Sequence, residues 1–187
     1  MLKNKYQDWV ELHNFGLADF DDMRDLYGEG MGASLFADKQ DIDDSQRAKC
    51  RFVRASSFIK EHVKQDDLAV MKLNCEGGEV LILRDLIQGG IHLLSNLMVD
   101  FDICKIPSQR SEEARIKAEL STAGFTNYVT PRQMMVGRTH QARIGFWLSN
   151  LPNADEFMEL TPMQKVMRRL PMSIRRLIQR NRRKPRK

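Results

Sequence analysis

The chain has no run of apolar residues near the ~18 to 20 needed to cross a bilayer as a helix, so hydropathy predicts no membrane span. Its opening, Met1 to Asp8, is polar and lacks the apolar stretch of a secretory signal. Cysteine is scarce. Cys50, Cys75 and Cys104 form an odd, widely spaced set without a C-x-x-C pair, which points to free thiols and a cytoplasmic setting. The histidines are equally scattered: His13, His62, His92 and His140 lack ligand spacing, so no metal is expected. No internal repeat is visible.

What is present is a composition of 42% apolar and 29% charged residues over 187 positions, enough for one domain with a hydrophobic core. The net charge of +5 is unevenly placed. Residues 151–187 hold 11 Lys/Arg against Asp155, Glu156 and Glu159, whereas the first 150 hold 19 basic and 22 acidic residues. A mildly acidic body with a basic tail argues against nucleic acid as a partner, and no aromatic platform is interleaved with the tail's cations. Domain boundaries of 1–150 and 151–187 follow.

Trp9 to His13 reads as a short first strand closing on Asn14-Phe15-Gly16. From Ala18 to about Ala48 the chain is rich in Asp and Gly, an excursion with at most short elements. Its Gly28-Glu29-Gly30-Met31-Gly32 has cofactor-turn spacing but follows no buried strand, so a flexible loop is expected. Cys50 to Ala55 forms a strand, followed by a helix capped by Ser56 or Ser57. Leu68 to Asn74 is a nearly continuous apolar run suited to a central strand covered on both faces. A helix from Glu79 to Leu86 ends at Gly89-Gly90, and Asn96 to Ile103 is the next strand. Strand, helix and strand in this order predict a parallel βαβ unit and an α/β fold. Ser111 caps a further helix that Gly124 stops, and Phe125 to Val129 adds a strand. The region of Ile144 to Leu148 favours helix.

The segment with chemical content is Lys72-Leu73-Asn74-Cys75-Glu76-Gly77-Gly78-Glu79. Polar residues leaving a buried parallel strand meet a ligand rather than the core, since ligands in open α/β sheets lie outside the strands' carboxyl ends. The glycines allow a tight turn and close backbone approach. Glu76 and Glu79 near a helix start are comfortable as carboxylates. A solvated helix cap is the plain alternative.

This segment resembles the signature of FkbM-type S-adenosylmethionine-dependent methyltransferases, roughly Lys-Ile-Asp-x-Glu-Gly-x-Glu. Lys72, Glu76, Gly77 and Glu79 match, Leu73 is conservative, and Asn74 replaces an aspartate. Leu12 to Asp19, Gly32-Ala33-Ser34-Leu35, Asp100 and Ala123-Gly124-Phe125 extend the resemblance over roughly residues 8 to 130. It implies a Rossmann-like fold and methyl transfer from S-adenosylmethionine to a hydroxyl of a small molecule or glycan. Lys72, Asn74, Glu76 and Glu79 are the implied catalytic residues, with Asn14 and Gly16 on the cofactor side. An amide has no useful basicity, so Asn74 is limited to positioning, and Glu76 is the nearest alternative carboxylate. The family's glycine-rich first turn has no counterpart before Trp9. An unusual start, a fragment, or completion by another chain all remain open, as does a non-catalytic interaction module.

Thr161-Pro162 reads as a helix start. Met163, Val166, Met167 and Leu170, then Ile174, Leu177 and Ile178, form an apolar stripe flanked by arginines. Such a helix docks on its own domain or lies on an anionic inner membrane surface. The methionines, Met134-Met135 included, read as core filler.

Overall fold

The computed structural model describes residues 10–131 and 139–151, together with positions 154, 162, 166 and 170. The protein is mixed α/β, with parallel strand pairs and four α-helices among the described residues. Two compact units divide the chain, 1–128 and 129–187.

In the first unit, β1 (Gly16–Ala18) runs parallel to β3 (Arg47–Arg54), and β2 (Asp22–Tyr27) pairs antiparallel on the other side of β3. The expected strand at Trp9 to His13 does not form over its described part, Val10 to His13. The first strand begins at Gly16 instead. β2 is a six-residue strand inside the expected excursion, and β3 starts at Arg47 rather than Cys50. Both are charged because this hairpin is largely exposed. Asp25 stands opposite Lys49, and such cross-strand pairs support a sheet without apolar alternation.

Gly28 to Gly32 is not a loose loop. Gly30–Gly32 forms a 3₁₀ turn, and Tyr27 and Ser34 exchange backbone hydrogen bonds of 2.8 and 2.9 Å across it. The excursion then crosses to the other half of the unit. Gln40 N–H donates to the Lys105 carbonyl, and the Asp38 carboxylate accepts from the Ser108 N–H at 2.8 Å.

The second sheet holds the predicted parallel unit. β4 (Val70–Leu73) leads through α2 (Glu79–Gly89) to β5 (Asn96–Val99), in parallel register from Val70↔Asn96 to Leu73↔Val99. β4 is shorter than its apolar run and stands at the edge of this sheet, with Lys72 exposed, rather than covered on both faces. β5 stops at Val99, and Ile103 belongs to a 3₁₀ turn instead. β6 (Tyr128–Val129) follows, and Asn127 beside it accepts from the Leu97 N–H on β5's far side.

The core lies where α2 covers β5. Val80, Leu83 and Leu86 recur at helical spacing and are fully buried with Leu97 and Val99. Burial of each such side chain contributes about 1.5 to 3 kcal/mol. α3 (Glu112–Thr122) adds Ile116 and Leu120, and its glutamates Glu112 and Glu119 pair with Arg84 of α2. The Arg84 guanidinium holds the Glu112 carboxyl below its ordinary value. Gly124, at φ 74°, ends the helix as expected.

α1 (Ala55–His62) follows β3 directly, and neither Ser56 nor Ser57 caps it. Its start is capped from another helix: Asp85 of α2 accepts from the Ser56 N–H at 2.6 Å and from Arg54 Nη1 at 2.8 Å. A buried carboxylate that meets both a cation and an orphan helix donor is well compensated.

In the second unit, α4 (His140–Leu148) realises the helix expected around Ile144. Thr139 Oγ1 caps it by accepting from the Ala142 N–H at 3.2 Å. Pro162 and Val166 are helical, and Val166 is exposed. Trp9, Met134-Met135 and most of the expected tail helix lie outside the described residues. Met98 is buried as expected of core filler, but Met23 and Met31 are exposed. No helix among the described residues is long and apolar enough to cross a membrane.

Candidate functional site

The chain leaves β4 through Asn74 and Cys75 and reverses at Glu76-Gly77-Gly78 into α2. The reversal uses two left-handed residues, Glu76 at φ 52° and Gly77 at φ 108°. Gly77 is required on two grounds. A side chain disfavours that φ, and a Cβ there would stand 2.3 Å from Ile106 Cδ1. Glu76 adopts the left-handed region without being glycine, a conformation that persists when its surroundings fix it.

Those surroundings are specific. Ser34 Oγ donates to the Glu76 carbonyl at 2.7 Å, and Lys39 Nζ stands 2.7 Å from its carboxylate. The Lys39 side chain is only 4% exposed, and its ammonium also donates to the Gly32 carbonyl. Lys105 lies 4.0 Å from the same carboxylate. The excursion therefore supplies the buried cation that stabilises the turn. Ser34 belongs to the Gly32–Leu35 step noted in the sequence, but Lys39 had no local signal, because its partner lies far along the chain.

Glu79 is fully buried and folds back on the turn that precedes it. Its carboxylate accepts from the Cys75 N–H and, at 2.9 Å, from the Gly77 N–H. Burial holds its carboxyl above the ordinary value, against the lowering effect of those bonds. Glu79 thus shapes the turn from within. Cys75 is exposed as a residue, yet protein packed around its sulfur, followed by the Glu79 charge, pushes the thiol up to about 11. A thiol protonated at neutral pH is a poor nucleophile.

A cavity of about 460 Å³ opens against this turn. Lys72, Asn74 and Glu76 line it together with the apolar side chains of Phe15, Leu17 and Phe52. Gly16 joins the lining, whereas Asn14 is exposed and outside it. Both precede or open β1 rather than following a strand, contrary to the expected order. The place of a Gly16 Cβ is taken by the Phe52 ring, which would stand 2.3 Å away, so this glycine serves strand packing. Of the six residues singled out by sequence, four line the cavity, Glu79 braces its rim, and Asn14 stands apart. Phe15 and Phe52 carried no signal as its wall.

The arrangement can hold a ligand with an apolar face and a polar end. Lys72 is an exposed cation beside the cavity, and none of the ion pairs among the described residues involves it. Comparison with protein families, curated proteins and solved structures found no match to this chain.

Proposed function

We propose that the chain is a Rossmann-like, methyltransferase-type domain that transfers a methyl group from S-adenosylmethionine to a hydroxyl of a small molecule or glycan. The observation that carries this reading is the cavity at the exit of β4, where Lys72, Asn74 and Glu76 line the same space as Phe15 and Phe52. The parallel β4–α2–β5 unit and the Lys72–Glu79 resemblance support it. The cavity's size lies within the range of small-molecule sites, about 300 to 1,000 Å³. An aromatic wall suits an adenine ring, and the Lys72 ammonium suits the carboxylate of an amino-acid end.

The bound cofactor supplies an electrophilic methyl on a sulfonium. The chain's own groups would orient the acceptor. The Asn74 amide accepts or donates a hydrogen bond to the hydroxyl, and Lys72 offers a cation to an anionic group. Glu76 is the carboxylate that lines the cavity, and Lys39 already engages it in an ion pair at 2.7 Å.

That last observation favours a second reading, a methyltransferase-derived module that binds without catalysing. Calorimetric titration of the full chain with S-adenosylmethionine tests both. Saturable binding that Lys72→Ala weakens by about tenfold or more is expected if Lys72 meets the cofactor's amino-acid end, whereas Asn74→Ala, on the acceptor side, should lower methyl transfer more than cofactor binding. Binding without methyl transfer to a hydroxyl acceptor selects the module, and no binding at millimolar cofactor removes methyl transfer by this chain alone.

A further inference from the structure

The sequence separates His13 from His62, but the fold brings them together where the approach to β1 meets the last turn of α1. We propose that Glu11, His13 and His62 form a surface site for a divalent transition metal, with zinc as the expected ion. A carboxylate oxygen of Glu11 and one ring nitrogen from each histidine all lie within 4.8 Å of one another. Two histidines and a glutamate are a donor set that zinc accepts, leaving further positions for water.

The distances are close to what such an ion needs. Tetrahedral ligands about 2.0 to 2.1 Å from zinc stand roughly 3.3 Å apart. His13 Nε2 and Glu11 Oε1 already lie at 3.3 Å. With the three ligand atoms within 4.8 Å of one another, the side chains have up to about 1.5 Å to close to reach that separation. The His62 ring also makes one hydrogen bond to the backbone. Nδ1 lies 2.9 Å from the Phe58 carbonyl, which can only accept, so Nδ1 carries the hydrogen and Nε2 keeps its lone pair. This is the outer hydrogen bond that fixes the tautomer of metal-bound histidines.

Aromatic packing restrains both rings further. His62 stacks on Phe58 with centroids 4.1 Å apart, and His13 meets Phe58 edge-on at 5.1 Å. Arg54 is engaged by Asp85 at 2.8 Å, and the Arg51 guanidinium lies over the Phe15 ring. Both histidines line a surface cavity of about 370 Å³, which leaves room for water on the ion. None of the three ligands lines the cavity at the exit of β4, so this site stands independently of the methyl-transfer reading.

The full chain should take up one equivalent of zinc in a calorimetric titration, and cobalt(II) should give visible bands without the intense near-ultraviolet absorption of thiolate ligation. His13→Ala and His62→Ala should each weaken binding on the order of tenfold or more, while His92→Ala leaves it unchanged. Unaltered circular dichroism would show that these exposed substitutions leave the fold intact. No saturable uptake at millimolar zinc, undiminished binding in the double variant, or a thiolate spectrum would each overturn the proposal.

Discussion

The turn after β4 and the histidine face beside α1 both gather ionisable side chains, but they satisfy them in opposite ways. At the turn, Glu76 and Glu79 are each met by partners within the chain: a buried ammonium for one, two backbone N–H groups for the other. On the histidine face, Glu11, His13 and His62 are exposed residues; Glu11 and His13 meet each other at 3.3 Å, and His62 meets the Phe58 backbone carbonyl. The difference separates residues that shape a site from residues able to receive a ligand. Internal compensation consumes the carboxylates of the turn, and leaves Lys72 and Asn74 as its outward groups.

Breaking the ion pair of the turn is the severest test of that contrast. Glu76→Ala would strand Lys39, buried with only the Gly32 carbonyl, and should cost about 3 kcal/mol or more in urea unfolding. Adding Lys39→Met should restore much of that loss, because removing both charges removes the stranded one. An unchanged midpoint for Glu76→Ala would show that the turn does not depend on this pair.

A smaller effect is expected at Glu79. Glu79→Gln keeps the shape but offers one acceptor oxygen where the Cys75 and Gly77 N–H groups use two, so one buried donor loses its partner at a cost of about 2 kcal/mol. Its pH dependence is more telling. The folded carboxyl lies above the ordinary 4.5, so as pH rises from there the unfolded chain loses its proton first. Stability contributed by Glu79 is therefore present below 4.5 and lost as pH climbs through the folded value. Urea midpoints across this window should fall with pH more steeply in the wild type than in Glu79→Gln. Glu112 should oppose the trend. Its folded carboxyl is lowered, so its contribution is present above 4.5 and lost as pH falls through the folded value.

The smallest change should come from Lys72→Ala. An exposed strand position outside every ion pair among the described residues should shift unfolding by less than about 0.5 kcal/mol. A larger loss would move Lys72 into the class of Glu76 and erase the contrast.

The parallel β4–α2–β5 unit was legible because apolar runs and helical spacing are local signals of burial. Gly124 and the helix at Ile144 were legible for similar reasons. The β2–β3 hairpin escaped because its strands are exposed, so charge pairing replaces apolar alternation. α1 was placed correctly but its cap was not, since Asp85 comes from a different helix. The turn after β4 was read from its sequence as a ligand-facing corner, yet the division of labour between Glu76 and Glu79 depends on Lys39 and on burial. The histidines looked scattered for the same reason: the contact between His13 and His62 is made only by folding.

Asp85 also bears on how the first unit unfolds. Among the described residues, no backbone ladder joins the β1–β3–β2 sheet to the β4–β5–β6 sheet. Asp85 belongs to the crossover of one sheet, whereas Arg54 and Ser56 continue from the other. Opening either sheet while keeping the other would expose that carboxylate or leave a helix end without its acceptor. The two ladders should accordingly melt as one cooperative unit rather than as separate foldons, with a single buried carboxylate among the couplings between them.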